Sequence, residues 1–347
     1  MKILAAMSGG VDSSVAAGLL IEAGHEVVGA TLLLGLAEDT GAEDACRTLG
    51  VAHFAVDGAA AFRRHVLDPF LHGYESGETP NPCVVCNPSV KFGLLLEFAL
   101  SRGYDAVATG HYARVRTDEL TGCASLLRAA DRTKDQSYVL CRLPQEILRR
   151  VIFPLGGLTK EEVRAWAARK GLAAADRADS QDLCFVYNNE YAAFIEEFTG
   201  KHYPEGDILD MNGRVIGRHR GLVRYTIGQR RGLGVAVNHP IYVTGKDMSL
   251  NTVTLGPESA LYSKTVYADN INLIACDNLE NPMRIKAKTR YLQEENPAVV
   301  VQTDPDQIRI DFDEGQRAVT PGQSVVLYDG DIVVGGGVIQ RTVNSEQ

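Results

Sequence analysis

Ile3-Leu4-Ala5-Ala6-Met7-Ser8-Gly9-Gly10-Val11-Asp12-Ser13-Ser14-Val15-Ala16-Ala17-Gly18-Leu19-Leu20 opens the chain, and its reading decides the fold. The apolar run from Ile3 to Ala6 reads as a buried strand, and the residues from Val15 to Leu20 have helical spacing. A tight Ser/Gly turn joins the two. Glycine lets successive backbone N–H groups converge, and a helix N-terminus adds about half a positive charge, so this strand–turn–helix is a cradle for phosphate. The chain has no Gly-x-x-x-x-Gly-Lys-Ser/Thr string, so the cradle is not the usual γ-phosphate loop.

Outward from that turn, strands are expected at residues 3–7, 27–34, 53–56 and 106–109. Helices are expected after Asp12, at 42–49, 59–71 and 90–102. Such alternation implies a parallel sheet covered on both faces, with ligands beyond the carboxyl ends of its strands. The breaker-rich run Gly77-Glu78-Thr79-Pro80-Asn81-Pro82-Cys83 is expected to be a loop. Thr159 and Glu162 form a candidate capping box for a helix ending near Lys170. Beyond a helix at 190–199, short β runs at 241–244, 252–255, 284–289, 298–303, 307–312 and 324–327 suggest an antiparallel barrel. The fold class is therefore α/β in three parts: a parallel-sheet domain over 1–190, a small central domain over 191–265 and a β-barrel over 266–347.

The 347 residues, 45% hydrophobic and 23% charged, are those of a globular chain of two or three domains. No apolar run approaches about 18 residues, and Met1-Lys2 leads straight into a strand, which points to a cytoplasmic protein without a membrane partner. The net charge of −9 argues mildly against nucleic acid, but local basic surface matters more than the total. Arg214, Arg218, Arg220, Arg224, Arg230 and Arg231 lie in a run without Asp or Glu, either a solvated face or an RNA surface.

Seven cysteines in such a chain do not form a disulfide framework. Cys83-Val84-Val85-Cys86 and Cys184 invite three chemical readings: structural zinc, an iron–sulfur cluster on three thiolates, or a nucleophile with a sulfur carrier. Unrelated buried cysteines are a fourth. Zinc lacks an evident fourth ligand; the others stay open.

The Ser-Gly-Gly-Val-Asp-Ser turn resembles the PP-loop of ATP pyrophosphatases, which form adenylates and release pyrophosphate. Further motifs resemble tRNA-specific 2-thiouridylases: Thr79-Pro80-Asn81-Pro82 with Cys86-Asn87, Thr109-Gly110-His111-Tyr112-Ala113, Lys134-Asp135-Gln136-Ser137-Tyr138 and Pro154-Leu155-Gly156. Ser180 to Phe185, Tyr225 to Gly234, Arg290-Tyr291 and Ala318 to Gln323 continue the match over nearly the whole chain. The resemblance implies ATP-dependent adenylation of the C2 oxygen of the wobble uridine in tRNA, then sulfur transfer, with AMP and pyrophosphate released. It implies Cys86 as nucleophile and Cys184 as carrier of a persulfide from a donor protein, the pair ending as a disulfide. Ala6, Met7, Ser8, Gly9, Gly10, Val11, Asp12 and Ser13 would hold ATP, with Leu32 and Gly110 beside the adenosine and Mg²⁺ near Asp12. Asn81, Pro82 and Cys83 would approach the flipped-out uridine. His111, Lys134, Asp135, Gln136, Arg290, Tyr291 and Gln323 would contact tRNA. Cys83 stands where many members carry Asp, so the acid–base role of that Asp does not carry over. Cys83, Cys86 and Cys184 could instead hold a 4Fe-4S cluster, as in cluster-dependent relatives of the wider tRNA-thiolation group. A PP-loop synthetase acting on a small molecule is the rival reading, and an ATP-regulated RNA-binding or redox-sensing module without turnover a second.

Overall fold

The structure, a computed structural model, describes residues 1–36, 41–172, 183–186 and 190–343. Strands β1 (Lys2–Ala6), β2 (Glu26–Leu33), β3 (His53–Asp57), β4 (Ala106–Ala108) and β7 (Val151–Ile152) form a parallel sheet in the order β3-β2-β1-β4-β7. Ile3, Leu4, Val107 and Ala108 are fully buried, as expected of strands covered on both faces. The helix Val11–Glu22 follows β1 directly, and the helix Lys160–Arg169 packs against it. Thr159 and Glu162 make both halves of the capping box, as the sequence predicts.

One expected loop is partly helix. Only residues 77–81 are irregular; Pro82 starts a helical run that continues to Ser101 through a π-helical segment, Asn87–Phe92. Proline is well suited to a first helical position, where its missing N–H costs nothing. Cys83 and Cys86 therefore sit on a first helical turn, one face apart by three residues, rather than in a loop. The run of twenty residues is long and apolar enough to cross a bilayer, contrary to the expectation of no such stretch. Its Val84, Phe92, Leu95 and Ala99 are buried in the main core.

The central sheet contains β8 (Gly206–Leu209), β9 (Val215–His219), β10 (Tyr242–Asp247) and β11 (Thr252–Gly256), in the order β10-β11-β8-β9. Six further strands, β12 (Tyr262–Leu273), β13 (Met283–Lys288), β14 (Asn296–Asp304), β15 (Gln307–Arg317), β16 (Ser324–Asp329) and β17 (Ile332–Val343), run β12-β15-β14-β13-β16-β17 and close through β12–β17. The hairpin β5 (Ala113–Thr117) and β6 (Ala124–Arg128), inserted in the parallel-sheet domain, extends this sheet through the pair Leu127–Ile332. One apolar core consequently runs from Leu4 and Phe92 through Tyr138 to Val326, Tyr328 and Val333 of the barrel.

Gly335-Gly336-Gly337 lies in β17 where the barrel closes against β12. A Cβ on Gly335 would lie 2.3 Å from the Asn272 carbonyl oxygen, and one on Gly336 would lie 2.7 Å from that of Val325. Gly335→Ala is expected to destabilise the protein by about 2–3 kcal/mol, read as a lower denaturation midpoint.

Candidate active site

The phosphate cradle forms as the sequence predicts. After β1 the chain turns at Gly9 (φ 71°), and Gly10 is an extended N-cap without a side-chain bond. Ser13 stitches the turn: its Oγ accepts from the Ser8 N–H at 3.2 Å and donates to the Gly10 carbonyl at 3.0 Å. The first N–H groups of the helix therefore face the rim above the carboxyl ends of β1 and β4, where an anion is favoured. Gly110, just past β4, lies so close that a Cβ there would be 2.6 Å from the Asp12 carbonyl carbon and 2.7 Å from the Ser13 nitrogen. Leu32 is half-buried near the end of β2, against the main core.

Asp12 is held from below. Lys160 Nζ lies 2.8 Å from both carboxylate oxygens, and the Tyr112 hydroxyl donates to one of them at 2.9 Å. Lys160 is nearly buried, so the pair fixes the start of the cradle helix to the capped helix beside it. Neither Lys160 nor Tyr112 had a signal in the sequence that marked it as a partner of Asp12.

The thiols form the other half. Cys83 and Cys86 are half-buried, Cys184 is exposed, and all three are free. Burial raises the Cys83 and Cys86 thiols. Atoms packed around the Cys184 sulfur, although the residue as a whole is exposed, are the main cause that raises its thiol to about 11, with Cys86 and Cys83 adding to it. The sulfurs from distant parts of the sequence thus lie within one another's electrostatic reach. The Lys91 cation opposes the rise at all three. Ser180, Gln181 and Asp182, which belong to the Cys184 motif, lie outside the described residues.

Gly110-His111 joins the halves. Gly110 abuts the cradle helix, while the His111 ring lies 5.7 Å from that of Phe92 on the cysteine helix. His111 is buried and pairs with Thr109 Oγ1 at 2.7 Å; burial keeps its pKa well below the usual histidine range. The other residues expected at tRNA are spread around this rim. Asn81 is the N-cap of the cysteine helix. Asp135 accepts from Ala129 N and the Ser137 hydroxyl and holds its own turn together, while Gln136 accepts from Tyr112 N and ties that turn to the start of β5. Lys134 is half-buried on the same turn. Tyr291 packs on Tyr138 at 5.8 Å between ring centroids, and burial raises its hydroxyl pKa. Gln323 Nε2 donates to the Thr79 carbonyl at 2.6 Å, and Arg290 faces inward onto carbonyl oxygens. A cleft of about 500 Å³ opens elsewhere, in the central domain, lined by Arg230, Leu233, Asn238 and His239 of the arginine run and the segment after it.

Comparison with known proteins agrees with this three-part organisation. A tRNA methyl transferase HUP domain family matches residues 1–188, a tRNA methyl transferase PRC-barrel domain family 192–257, and an aminomethyltransferase beta-barrel domain family 263–339. The tRNA-specific 2-thiouridylase MnmA of Acetivibrio thermocellus is 45% identical over 98% of this chain and 99% of its own. That of Roseiflexus sp. is 45% identical with the same coverage, and that of Clostridioides difficile is 41% identical over 99% of both chains. The chain belongs to the tRNA-specific 2-thiouridylase family. Among solved structures, a 4-thiouridine synthetase–RNA complex with bound ATP covers 56% of this chain and 50% of its own at 18% identity, with a TM-score of only 0.36.

For a 2-thiouridylase with a third thiol at position 83, a cluster has to be tested against the donors. Among the described residues no three His, Cys, Asp or Glu side chains converge to hold a metal ion. The thiols as placed do not fit a cluster. As neutral thiols at rest, Cys86 and Cys184 gain thiolate as pH rises towards their raised pKa values. Iodoacetamide alkylation of Cys184 should therefore quicken about tenfold for each pH unit above neutrality, read by peptide mass spectrometry. Gly110→Ala, which forces a Cβ into the cradle helix, should weaken ATP binding at least about tenfold by calorimetry.

Proposed function

We propose that the protein thiolates tRNA, using ATP to adenylate the C2 oxygen of the wobble uridine and a protein-bound sulfur to replace it. The observation that carries this reading is the Gly110-His111 bridge, which sets the phosphate cradle and the cysteine helix side by side on one rim. Family membership supports the substrate class.

In this scheme the cradle from Ala6 to Ser13 holds the phosphates, with Leu32 and Gly110 at the adenosine. Mg²⁺ bound with the nucleotide would balance phosphate charge, and Asp12, paired with Lys160 at 2.8 Å, would have to share its carboxylate to hold it. The uridine oxygen attacks the α-phosphate and pyrophosphate leaves. Asn81, Pro82 and Cys83 border the extruded base. A sulfur-donor protein loads Cys184 as a persulfide, whose outer sulfur attacks C2 and displaces AMP. Cys86 then attacks the Cys184 sulfur, leaving 2-thiouridine and a Cys86–Cys184 disulfide, which an external dithiol reduces. Lys134 on the nucleotide domain (1–190) and the arginine run of the central domain (191–265) meet the tRNA backbone, the barrel (266–347) completes the surface, and the enzyme works in the cytoplasm.

The test combines purified protein, ATP, unmodified tRNA and a persulfide donor. AMP release that requires tRNA, with 2-thiouridine appearing in it, is the expected result, and Cys86→Ser should abolish the thiouridine. AMP release with ammonia or an amino acid alone would establish the small-molecule synthetase instead. Binding of tRNA should weaken steeply between low and moderate salt despite the acidic total charge.

A further inference from the structure

The loop proposed to border the reacting base is bonded locally only at its start, where the Gly77 N–H donates to the Tyr74 carbonyl at 3.1 Å and the Glu78 N–H to the Gly73 carbonyl at 2.8 Å. Residues 77–81 precede the cysteine helix without regular structure, and the described bonds at Thr79 come from the other two domains. Its N–H donates to the Pro321 carbonyl at 2.9 Å, and its carbonyl accepts from Gln323 Nε2 at 2.6 Å. Its hydroxyl meets that of Thr226 in the central domain at 3.4 Å. Gly322 lies so close that a Cβ there would be 2.9 Å from Glu78 and 3.1 Å from the Thr79 nitrogen.

The barrel segment that makes these contacts, 318–323, is itself held under strain. Ala318 has a left-handed backbone (φ 53°), which costs a non-glycine residue about 1 kcal/mol or more. Arg290 secures it: Nε and Nη2 donate to the Ala318 carbonyl at 3.2 and 2.8 Å, and Nη2 donates to Thr320 Oγ1 at 2.7 Å. The same Nη2, whose two N–H groups are shared among three acceptors, also reaches the Ile227 carbonyl of the central domain at 3.0 Å. A planar guanidinium can serve several acceptors in fixed directions, which an ammonium cannot.

We propose that Arg290 and Gln323 are positioning residues that fix the base-bordering loop from the barrel, so that all three domains are needed to build the site. The chain of contacts runs from Arg290 to Ala318 and Thr320, on to Pro321 and Gln323, and from these to Thr79, two residues before Asn81. An assignment of both residues to tRNA contact leaves their inward-facing donors unexplained. The inference deepens the proposed thiolation and rests on it for the kinetic consequence.

The test uses full-length protein carrying Arg290→Lys, and separately Gln323→Met, which removes the bond to Thr79 without touching Arg290. Hydrogen exchange at the Thr79 amide, measured without tRNA or ATP, should quicken about tenfold in either variant. The kcat for tRNA-dependent AMP release should fall about tenfold, with tRNA affinity and its salt dependence unchanged. If Arg290 instead binds a phosphate, Arg290→Lys will keep both kcat and exchange near wild type, and Gln323→Met will leave Thr79 protected; that result overturns the inference. Because exchange requires neither substrate, a protein that thiolates no tRNA would refute the proposed function while leaving this measurement intact.

Discussion

The loop before the cysteine helix is set by how Thr79 is gripped. A peptide unit with both its N–H and its carbonyl bonded to the barrel loses the freedom that a loop of glycine, proline and threonine otherwise has. Two residues on, Asn81 caps the helix that carries Cys83 and Cys86, and Val84, Phe92, Leu95 and Ala99 pack its continuation into the main core. On the proposed reading the barrel is part of the site's architecture, although it contributes no nucleophile.

The same logic explains why the first domain and the barrel share a core. The hairpin β5–β6 leaves the parallel-sheet domain and joins the barrel sheet beside β17, and the Tyr138 hydroxyl donates to the Ser324 carbonyl across the junction at 2.7 Å. A buried, hydrogen-bonded aromatic packs well only in one arrangement. That rigidity is passed to the loop 318–323 and so to Thr79. On the opposite wall, the Asp12–Lys160 pair ties the phosphate cradle to a capped helix, so both halves of the site rest on packed elements rather than on free loops.

The electrostatics of the thiols follow from this placement. Burial disfavours thiolate at Cys83 and Cys86, and the Lys91 cation opposes it. Thiols that rest in the neutral form are guarded against stray oxidation. The thiols also lie on a helix with an unusual π-helical stretch, Asn87–Phe92, where Pro88 removes a backbone donor.

The sequence by itself determined the nucleotide half. A strand, a Ser/Gly turn and a helix interact within about twenty residues, so local spacing states their geometry, and the Thr159–Glu162 cap was legible for the same reason. The polar motifs also disclosed the family. Local reading failed where partners are remote. Strands β12 and β17 were not among the expected β runs; they pair with each other across about 70 residues, and Gly335 and Gly336 of β17 are crowded by Asn272 and Val325. Pro82 looked like the end of order until it proved to be the start of a helix. Arg290 and Gln323 could be recognised as motif residues, but not as donors to Ala318 and Thr79. Those bonds join residues 28 and 244 positions apart, and only a closed barrel packed on the first domain brings them within reach.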